Sequence, residues 1–121
     1  MARILVIDDD VQVLATLRKI LEREGYEVAT APDGRKGIKC YREDPTDLII
    51  TDLIMPEKEG IETIMELRRD FPDAKIIAIS GGVRNNPTTY LGLAENLGAQ
   101  YVFSKPVDRK EFLKAVQDLL R

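Results

Sequence analysis

Short apolar runs alternate along the chain with stretches in which apolar residues recur every three or four positions. Three of the runs, Ile4–Ile7, Leu48–Thr51 and Tyr101–Ser104, contain no charged residue and end beside one. Uninterrupted apolar runs of this length are typical of buried strands, and the intervening spacing is typical of amphipathic helices. The pattern therefore predicts five successive strand–helix pairs.

The boundaries of these elements follow from capping and turn residues. We predict strands at about residues 3–8, 26–30, 47–51, 75–80 and 101–104, the second of them at an edge because it alternates most. Helices are predicted at about residues 10–24, 33–43, 60–70 and 87–97, and from residue 108 onward. Asp33 and Asp108 are predicted N-caps, whereas Gly25 and Gly98 are predicted to end helices.

Helical spacing also predicts which side chains share a face of each helix. In the first helix the apolar positions are Val11, Leu14, Leu17 and Leu21. In the third helix the residues predicted to face inward are Ile61, Ile64, Met65 and Leu67. The basic pairs Arg68-Arg69 and Arg109-Lys110 are short, and we expect them on solvated helix faces.

Strands without polar alternation indicate a parallel sheet that helices cover on both faces. Right-handed crossovers leave few topologies for such a chain, and a doubly wound open sheet is favoured. At 121 residues the chain is long enough for one domain with its own core, and we expect residues 1–121 to form it. In these sheets ligands bind beyond the carboxyl ends of the strands, where the strand order reverses.

Charged residues gather at those predicted strand ends. Asp8, Asp9 and Asp10 follow the first run, Asp52 follows the third, and Lys105 follows the last. Several carboxylates around one lysine are hard to explain as packing, because like charges at close range repel. The cluster makes sense if a divalent cation lies among the carboxylates and a phosphoryl group binds beside it. Asp10 is expected to act as the N-cap of the first helix instead.

Composition excludes several other functions. The chain has no histidine, which rules out His-ligated zinc, Ser-His-Asp and Cys-His catalysis, and a phosphohistidine on this chain. Cys40, the only cysteine, is expected to be a half-buried apolar residue in a helix. With a net charge of −3, no broad basic surface for nucleic acid is expected. No membrane helix or signal peptide is evident, so a cytoplasmic protein is expected.

The combined motifs resemble the receiver domain of two-component response regulators over essentially the whole chain. They are Ile4–Ile7 followed by Asp8-Asp9, Asp52-Leu-Ile-Met-Pro56 with Gly60 after it, Ser80-Gly81, and Gly98-Ala99 before Lys105-Pro106. The resemblance implies a flavodoxin-like fold, with five parallel strands in the order 2-1-3-4-5 and five flanking helices.

The resemblance also implies a Mg²⁺ site. Asp9, Asp52 and the backbone carbonyl of Ile54 would bind the metal directly, and Asp8 would act largely through a water. Mg²⁺ suits such a site because it prefers oxygen ligands and retains waters.

The same resemblance makes Asp52 the phosphoacceptor, with Lys105 and Ser80 binding the phosphoryl oxygens. One departure concerns the readout of phosphorylation. Val102 occupies a position where the family often has an aromatic switch residue, and Tyr101 beside it points to the opposite face of a regular strand. The switch is therefore expected to rely on Ser80 and on backbone shifts.

The resemblance implies a signalling switch and not an enzyme in its own right. Asp52 would accept a phosphoryl group from a sensor histidine kinase or a histidine phosphotransfer protein, and the acyl phosphate would hydrolyse slowly. The expected partner surface comprises the helix at 87–97, the last strand and the last helix, near Tyr90, Tyr101 and Lys114. Kinase docking is expected near the first helix, at Val13. A dimer on phosphorylation is possible, and the chain is either a stand-alone regulator or a receiver belonging to a longer protein with an output domain.

Three alternatives stay open at this point. A haloacid dehalogenase-type phosphatase would use Asp8 as its nucleophile, so Asp52→Asn would spare its activity. A flavodoxin-like FMN binder shares the topology, but three aspartates after the first strand repel phosphate. A degenerate receiver that serves only as a docking module would fail to bind Mg²⁺ or beryllofluoride.

Overall fold

A single parallel sheet with helices on both faces organises the chain in a computed structural model. The structure describes residues 2–53, 59–80, 96, 98–104 and 107–121. The strands are β1 (Arg3–Ile7), β2 (Glu27–Ala31), β3 (Leu48–Asp52), β4 (Ile76–Ser80) and β5 (Tyr101–Ser104). The helices of the described part are α1 (Val11–Arg23), α2 (Gly34–Glu43), α3 (Glu59–Asp70) and α4 (Arg109–Leu120).

The strand order is β2-β1-β3-β4-β5, and every neighbouring pair is parallel. The predicted doubly wound, flavodoxin-like sheet is therefore confirmed, with β2 at an edge as its alternation indicated. Four helices are described instead of five, because the helix predicted at 87–97 lies outside the described residues except for Asn96. No helix in the described part is long and apolar enough to cross a membrane.

The two faces of the sheet carry separate apolar clusters. Alternate residues point to opposite faces of a strand. Leu5, Ile49, Ile76 and Ala78 pack with α2 and α3, whereas Ile4, Val6, Ile50 and Ile79 pack with α1 and α4. By the same alternation, Asp8 and Asp52 belong to the α1/α4 side, and Ser80 belongs to the α2/α3 side.

Local capping confirms most predicted boundaries to within about two residues. The Asp33 carboxylate accepts from the Lys36 N–H at 2.8 Å, and the Asp108 carboxylate accepts from the Lys110 N–H at 2.9 Å. Gly25 has a φ of 91°, which suits a residue that ends a helix. Strand β2 begins one residue later than predicted, because the Tyr26 N–H still donates to the Leu21 carbonyl in the turn after α1.

Two residues that were assigned to the apolar faces of their helices are exposed: Met65 of α3 and Val11 of α1. Met65 has 52% of its surface accessible, so its inward assignment is wrong. The buried stripe of α3 runs through Gly60, Thr63, Ile64 and Leu67 at helical spacing, and Met65 lies about 100° further round the helix.

Val11 departs from the apolar face of α1 for a different reason. It is the first residue of the helix and lies beyond the end of β1, and it is 74% exposed. Leu17 and Leu21, about two and three turns further along the helix, are buried.

The prediction that Arg68 lies on a solvated face is also wrong. One guanidinium nitrogen donates to the carbonyls of Pro72 and Ala74 at 2.6 and 2.8 Å, and the other donates to the Gly98 carbonyl at 2.7 Å. Gly98 has a φ of 102°, and a side chain there would meet the Arg68 Nε. Arg68 thus ties the end of α3 to the backbone that precedes β4 and β5.

An ion-pair cluster joins α2 to α3. The Arg42 guanidinium donates to Glu66 at 3.1 Å and also to Asp70, and it lies 5.2 Å from the centre of the Phe71 ring. Arg69 donates to Asp70 at 2.9 Å. Hydrogen bonds from Arg69 and then Arg42 lower the pKa of Asp70 from 3.8 to about 2. The stabilisation that this carboxylate provides is therefore present above about pH 4 and is lost as the pH falls toward 2.

Arg69→Gln should raise the pKa of Asp70 toward its ordinary value, because the largest cause of the shift is then removed. Carboxyl ¹³C NMR titration of the two proteins would measure this. Arg23→Gln, on the last turn of α1, is the matched control and should leave Asp70 unchanged. An Asp70 that titrates at the same pH with and without Arg69 would contradict the assignment.

Candidate functional site

Asp8 and Asp52 meet at the carboxyl edge of the sheet because β1 and β3 are direct neighbours. Ile7 pairs with Thr51 in the register, so the next residue of each strand is an aspartate. The Asp8 N–H donates to the Ala31 carbonyl at 3.1 Å and extends the β1–β2 hydrogen-bond ladder by one residue. Asp52 is the last residue of β3 and not the first residue after it, one position later than the strand end predicted.

Three carboxylates converge at this edge. Asp8, Asp9 and Asp52 each offer an oxygen within 4.8 Å of the others. Asp8 and Asp52 are 2% and 5% exposed, whereas Asp9 is exposed. The group is therefore buried on the sheet side and open to solvent through Asp9.

This donor set has the chemistry of a hard-cation site. It contributes only oxygen ligands, which suit Mg²⁺, and the exposure of Asp9 would let waters supply further ligands to a bound ion. Buried carboxylates of like charge are costly unless something compensates them, and a divalent cation among them does so. The residues present therefore fit Mg²⁺.

Asp10 has the helix-capping role that its position indicated. Its carboxylate accepts from the Gln12 and Val13 N–H groups at 2.9 and 3.4 Å. Its own N–H donates to the Asp8 carboxylate at 2.8 Å. Asp10 therefore orients Asp8 through its backbone, while its side chain begins α1.

Ser80 reaches the same edge from the neighbouring strand. It is the last residue of β4, and the residue before it, Ile79, pairs with Asp52 in the register. Ser80 is 2% exposed, and among the described residues its hydroxyl has no hydrogen-bond partner. Leaving a buried hydroxyl unpaired costs about 1–3 kcal/mol, so such a group is suited to a ligand that arrives later.

Two of the predicted site residues lie outside the described residues. These are Lys105 and Ile54, the source of the predicted carbonyl ligand. Val102 is half-buried and packs against the α2/α3 cluster. Tyr101 points to the other face as predicted: it stacks on Phe103 at 6.4 Å, and its hydroxyl donates to Asp118 of α4 at 3.3 Å.

Sequence reasoning missed a polar residue beneath the site. Thr51 is fully buried, and its hydroxyl donates to the Asp52 carbonyl at 3.2 Å. The available signal was a hydroxyl at the end of an otherwise apolar run, immediately before the predicted phosphoacceptor.

A groove opens beside the carboxylates, between α1 and the start of α4. Its volume is about 410 Å³, and apolar side chains form much of its lining. They include Val13, Leu17, Ile20, Val107 and Phe112. Asp10 also lines the groove, which therefore begins within two residues of the carboxylate cluster.

A sequence model of the response regulator receiver domain matches residues 4–117. The chain belongs to this family. Receiver-domain membership confirms the resemblance seen in the motifs, and it leaves the haloacid dehalogenase alternative without support.

Curated relatives include proteins about twice as long as this chain and proteins closer to its own length. The transcriptional regulatory protein CpxR of Klebsiella pneumoniae is 33% identical over 121 residues, all of this chain and 50% of CpxR. The chain thus spans about half the length of that relative. Chemotaxis protein CheY of Treponema pallidum is 34% identical over 122 residues, covering 98% of this chain and 83% of that protein.

Solved receiver structures superpose closely on this one. A response regulator receiver domain from Clostridium thermocellum is 30% identical, with a TM-score of 0.90 over 99% of this chain and 94% of that chain. A CheY-like receiver domain from Methanospirillum hungatei is 29% identical, with a TM-score of 0.87 over the same shares.

Asp10→Ala should lower the free energy of unfolding by about 1 kcal/mol, because two N–H groups of the first turn lose their acceptor. The free energy of unfolding of Asp10→Asn should stay within a few tenths of a kcal/mol of the wild-type value, since asparagine caps about as well. Urea unfolding measures both. Equal losses in the two variants would show that the charge of Asp10, and not its capping oxygen, is what stabilises the protein.

Proposed function

We propose that the chain is a phosphorylation-activated switch that accepts a phosphoryl group on Asp52 from a phosphohistidine of a sensor histidine kinase or a histidine phosphotransfer protein. The observation that carries this proposal is the convergence of Asp8, Asp9 and Asp52 at one sheet edge. Membership of the receiver-domain family supports it.

The proposed metal ligands are Asp8, Asp9, Asp52 and the carbonyl of Ile54, with Asp8 acting largely through a water. Mg²⁺ bound there would neutralise charge on the transferring phosphoryl oxygens. Asp9 lies on the open side of the cluster, whereas Asp8 is fixed by the Asp10 N–H, so the buried acid is held in place before any ligand arrives.

In the proposed reaction a carboxylate oxygen of Asp52 attacks the phosphorus of the donor phosphohistidine. The new O–P bond forms as the P–N bond breaks. The donor's imidazole, protonated on its other ring nitrogen before transfer, takes the P–N electron pair and leaves as a neutral histidine of the donor protein. Burial of Asp52 limits access of bulk water to the resulting acyl phosphate. Slow hydrolysis of that bond would reset the switch, which makes the domain a timer for the signal and not an enzyme with a separate substrate.

The proposed readout begins at Ser80. Phosphorylation replaces a carboxylate with a group of about −1.5 to −2 charge and several strong acceptors. The buried, unpartnered hydroxyl of Ser80 can donate to one of them, and Lys105 is proposed to bind another. Because Ser80 and Lys105 would both move toward the phosphoryl group, the ends of β4 and β5 would shift together toward β3. A downstream protein or output domain would read that shift.

The groove between α1 and α4 is the proposed docking surface for the phosphodonor. It begins beside Asp10, next to the acceptor cluster, and Val13 contributes to its apolar lining. A donor helix seated there would bring its phosphohistidine to the open side of the site. This agrees with the expectation that Val13 contributes to kinase docking.

Incubation with Mg²⁺ and acetyl phosphate should add one phosphoryl group to the wild type, seen as an increase of about 80 Da in intact mass. Asp52→Asn should take none, because the amide cannot act as the nucleophile. Asp10→Asn is the control for a nearby carboxylate and should be modified like the wild type. An adduct of equal yield on Asp52→Asn, or none on the wild type, would overturn the proposal.

Val13→Glu should slow phosphoryl transfer from a phosphorylated histidine phosphotransfer protein about tenfold or more, because it places a charge in an apolar docking surface. The rate with acetyl phosphate should stay unchanged, since that small donor needs no docking. Met65→Glu, at an exposed site on α3, controls for added charge. Equal slowing with both donors would place the defect in the acceptor site and reject the groove as the docking surface.

A further inference from the structure

Gly60, in the first turn of α3, lies against the backbone of the proposed phosphoacceptor. A Cβ atom at Gly60 would lie 2.3 Å from the Asp52 carbonyl oxygen and 2.6 Å from both the Cα and the carbonyl oxygen of Leu53. Ordinary contacts begin near 3.4 Å, and all three atoms belong to the main chain. A side chain at residue 60 therefore cannot be accommodated by rotating a neighbour.

The peptide unit between Asp52 and Leu53 is constrained on its other sides as well. The Thr51 hydroxyl donates to its carbonyl oxygen at 3.2 Å. The Leu53 N–H donates to the Ile79 carbonyl of β4 at 2.8 Å. Strand β4, the Thr51 side chain and the start of α3 thus enclose one peptide plane.

That peptide plane connects the two kinds of ligand in the proposed site. The Asp52 carboxylate precedes it, and the carbonyl of Ile54, proposed to bind the metal, follows two residues later. A rotation or shift of this one peptide would move both groups relative to Asp8, which β1 holds separately.

We propose that Gly60 is a positioning residue: by lacking a side chain it lets α3 press on the Asp52–Leu53 peptide, and this contact, together with Thr51, sets the geometry of phosphoryl acceptance. The inference rests on the proposed function and adds a requirement to it. Glycine is needed here for close approach of two backbones, not for an unusual φ.

The size of the misfit sets the expected effect. Relieving a contact of 2.3 Å to an ordinary 3.4 Å requires a displacement of about 1 Å. Misplacing a reacting group by about 1 Å can slow a reaction about 100-fold. A shift of this size at Asp52 should also weaken Mg²⁺ binding, because octahedral coordination tolerates little distortion.

Gly60→Ala tests the proposal through two readouts: Mg²⁺ affinity by isothermal titration calorimetry, and the rate of phosphoryl acceptance from acetyl phosphate at saturating Mg²⁺. We expect Mg²⁺ to bind about tenfold more weakly and the rate to fall about 10- to 100-fold. Mg²⁺ affinity and rate both within twofold of the wild type would overturn the proposal.

Gly25→Ala is the matched control. Its φ of 91° makes an alanine strained there, yet nothing lies within 4 Å of the added Cβ. It should therefore lower the unfolding temperature while leaving Mg²⁺ affinity and rate unchanged. If Mg²⁺ affinity and rate fall in Gly25→Ala as much as in Gly60→Ala, general destabilisation explains the result. That outcome would overturn the positioning role.

Thr51→Val provides a second test on the same peptide if Gly60→Ala does not fold. The substitution keeps the branched shape and removes the donor to the Asp52 carbonyl, so the rate should fall several-fold, and Thr51→Ser should restore it. A Thr51→Val protein that matches the wild type in Mg²⁺ affinity and rate would overturn the proposal. If the wild type accepts no phosphoryl group, the proposed function fails, and the Mg²⁺ affinity of Gly60→Ala still decides the role of Gly60.

Discussion

The parallel pairing of β1 with β3 is the constraint on which the rest of the site depends. Both strands are almost completely buried, and a register slip of one residue would turn every side chain to the opposite face. Ile4 through Ile7 and Leu48 through Ile50 pack against helices on both sides, so neither strand can slip without exposing apolar surface to water or burying charge. Asp8 and Asp52 are brought together by this register, against their mutual repulsion.

Helix α3 connects the site, at the carboxyl ends of the strands, to the backbone at the amino ends of β4 and β5. Its first turn contacts the Asp52–Leu53 peptide through Gly60, and its last turn carries Arg68, whose guanidinium binds the carbonyls before β4 and β5. A helix anchored at both ends in this way resists tilting. The proposed acceptor geometry therefore depends on a contact made at the far end of the domain as well as on the residues around Asp52.

Local signals explain what could be predicted from the sequence. Apolar runs located the strands, and the caps at Asp10, Asp33 and Asp108 depend on hydrogen bonds spanning two or three residues, so they can be inferred from short segments. Motifs at the strand ends led to the cluster of carboxylates and to the family, because the carboxyl ends of parallel strands meet at the same edge of a sheet.

The features that could not be predicted involve contacts between distant segments. Arg68 looked like a surface residue because its acceptor at Gly98 lies 30 residues away. Met65 was misassigned because apolar spacing does not mark the buried face of α3, which includes Gly60 and Thr63, while the exposed position 65 is apolar. Gly60 carried no local sign of the backbone that it meets, since the close approach depends on how α3 packs on the end of β3.

The alternation of side chains in the strands has a consequence for how a signal would leave the site. Asp8 and Asp52 belong to the layer of α1 and α4, whereas Ser80 belongs to the layer of α2 and α3. A phosphoryl group bridging Asp52 and Ser80 would cross the rim of the sheet and add a direct contact between two layers that lie on opposite faces of the strands. The layer where the donor is proposed to dock would have this additional contact with the other layer only while the phosphoryl group remains. The lifetime of one acyl phosphate bond would therefore set how long this added contact between the two layers lasts.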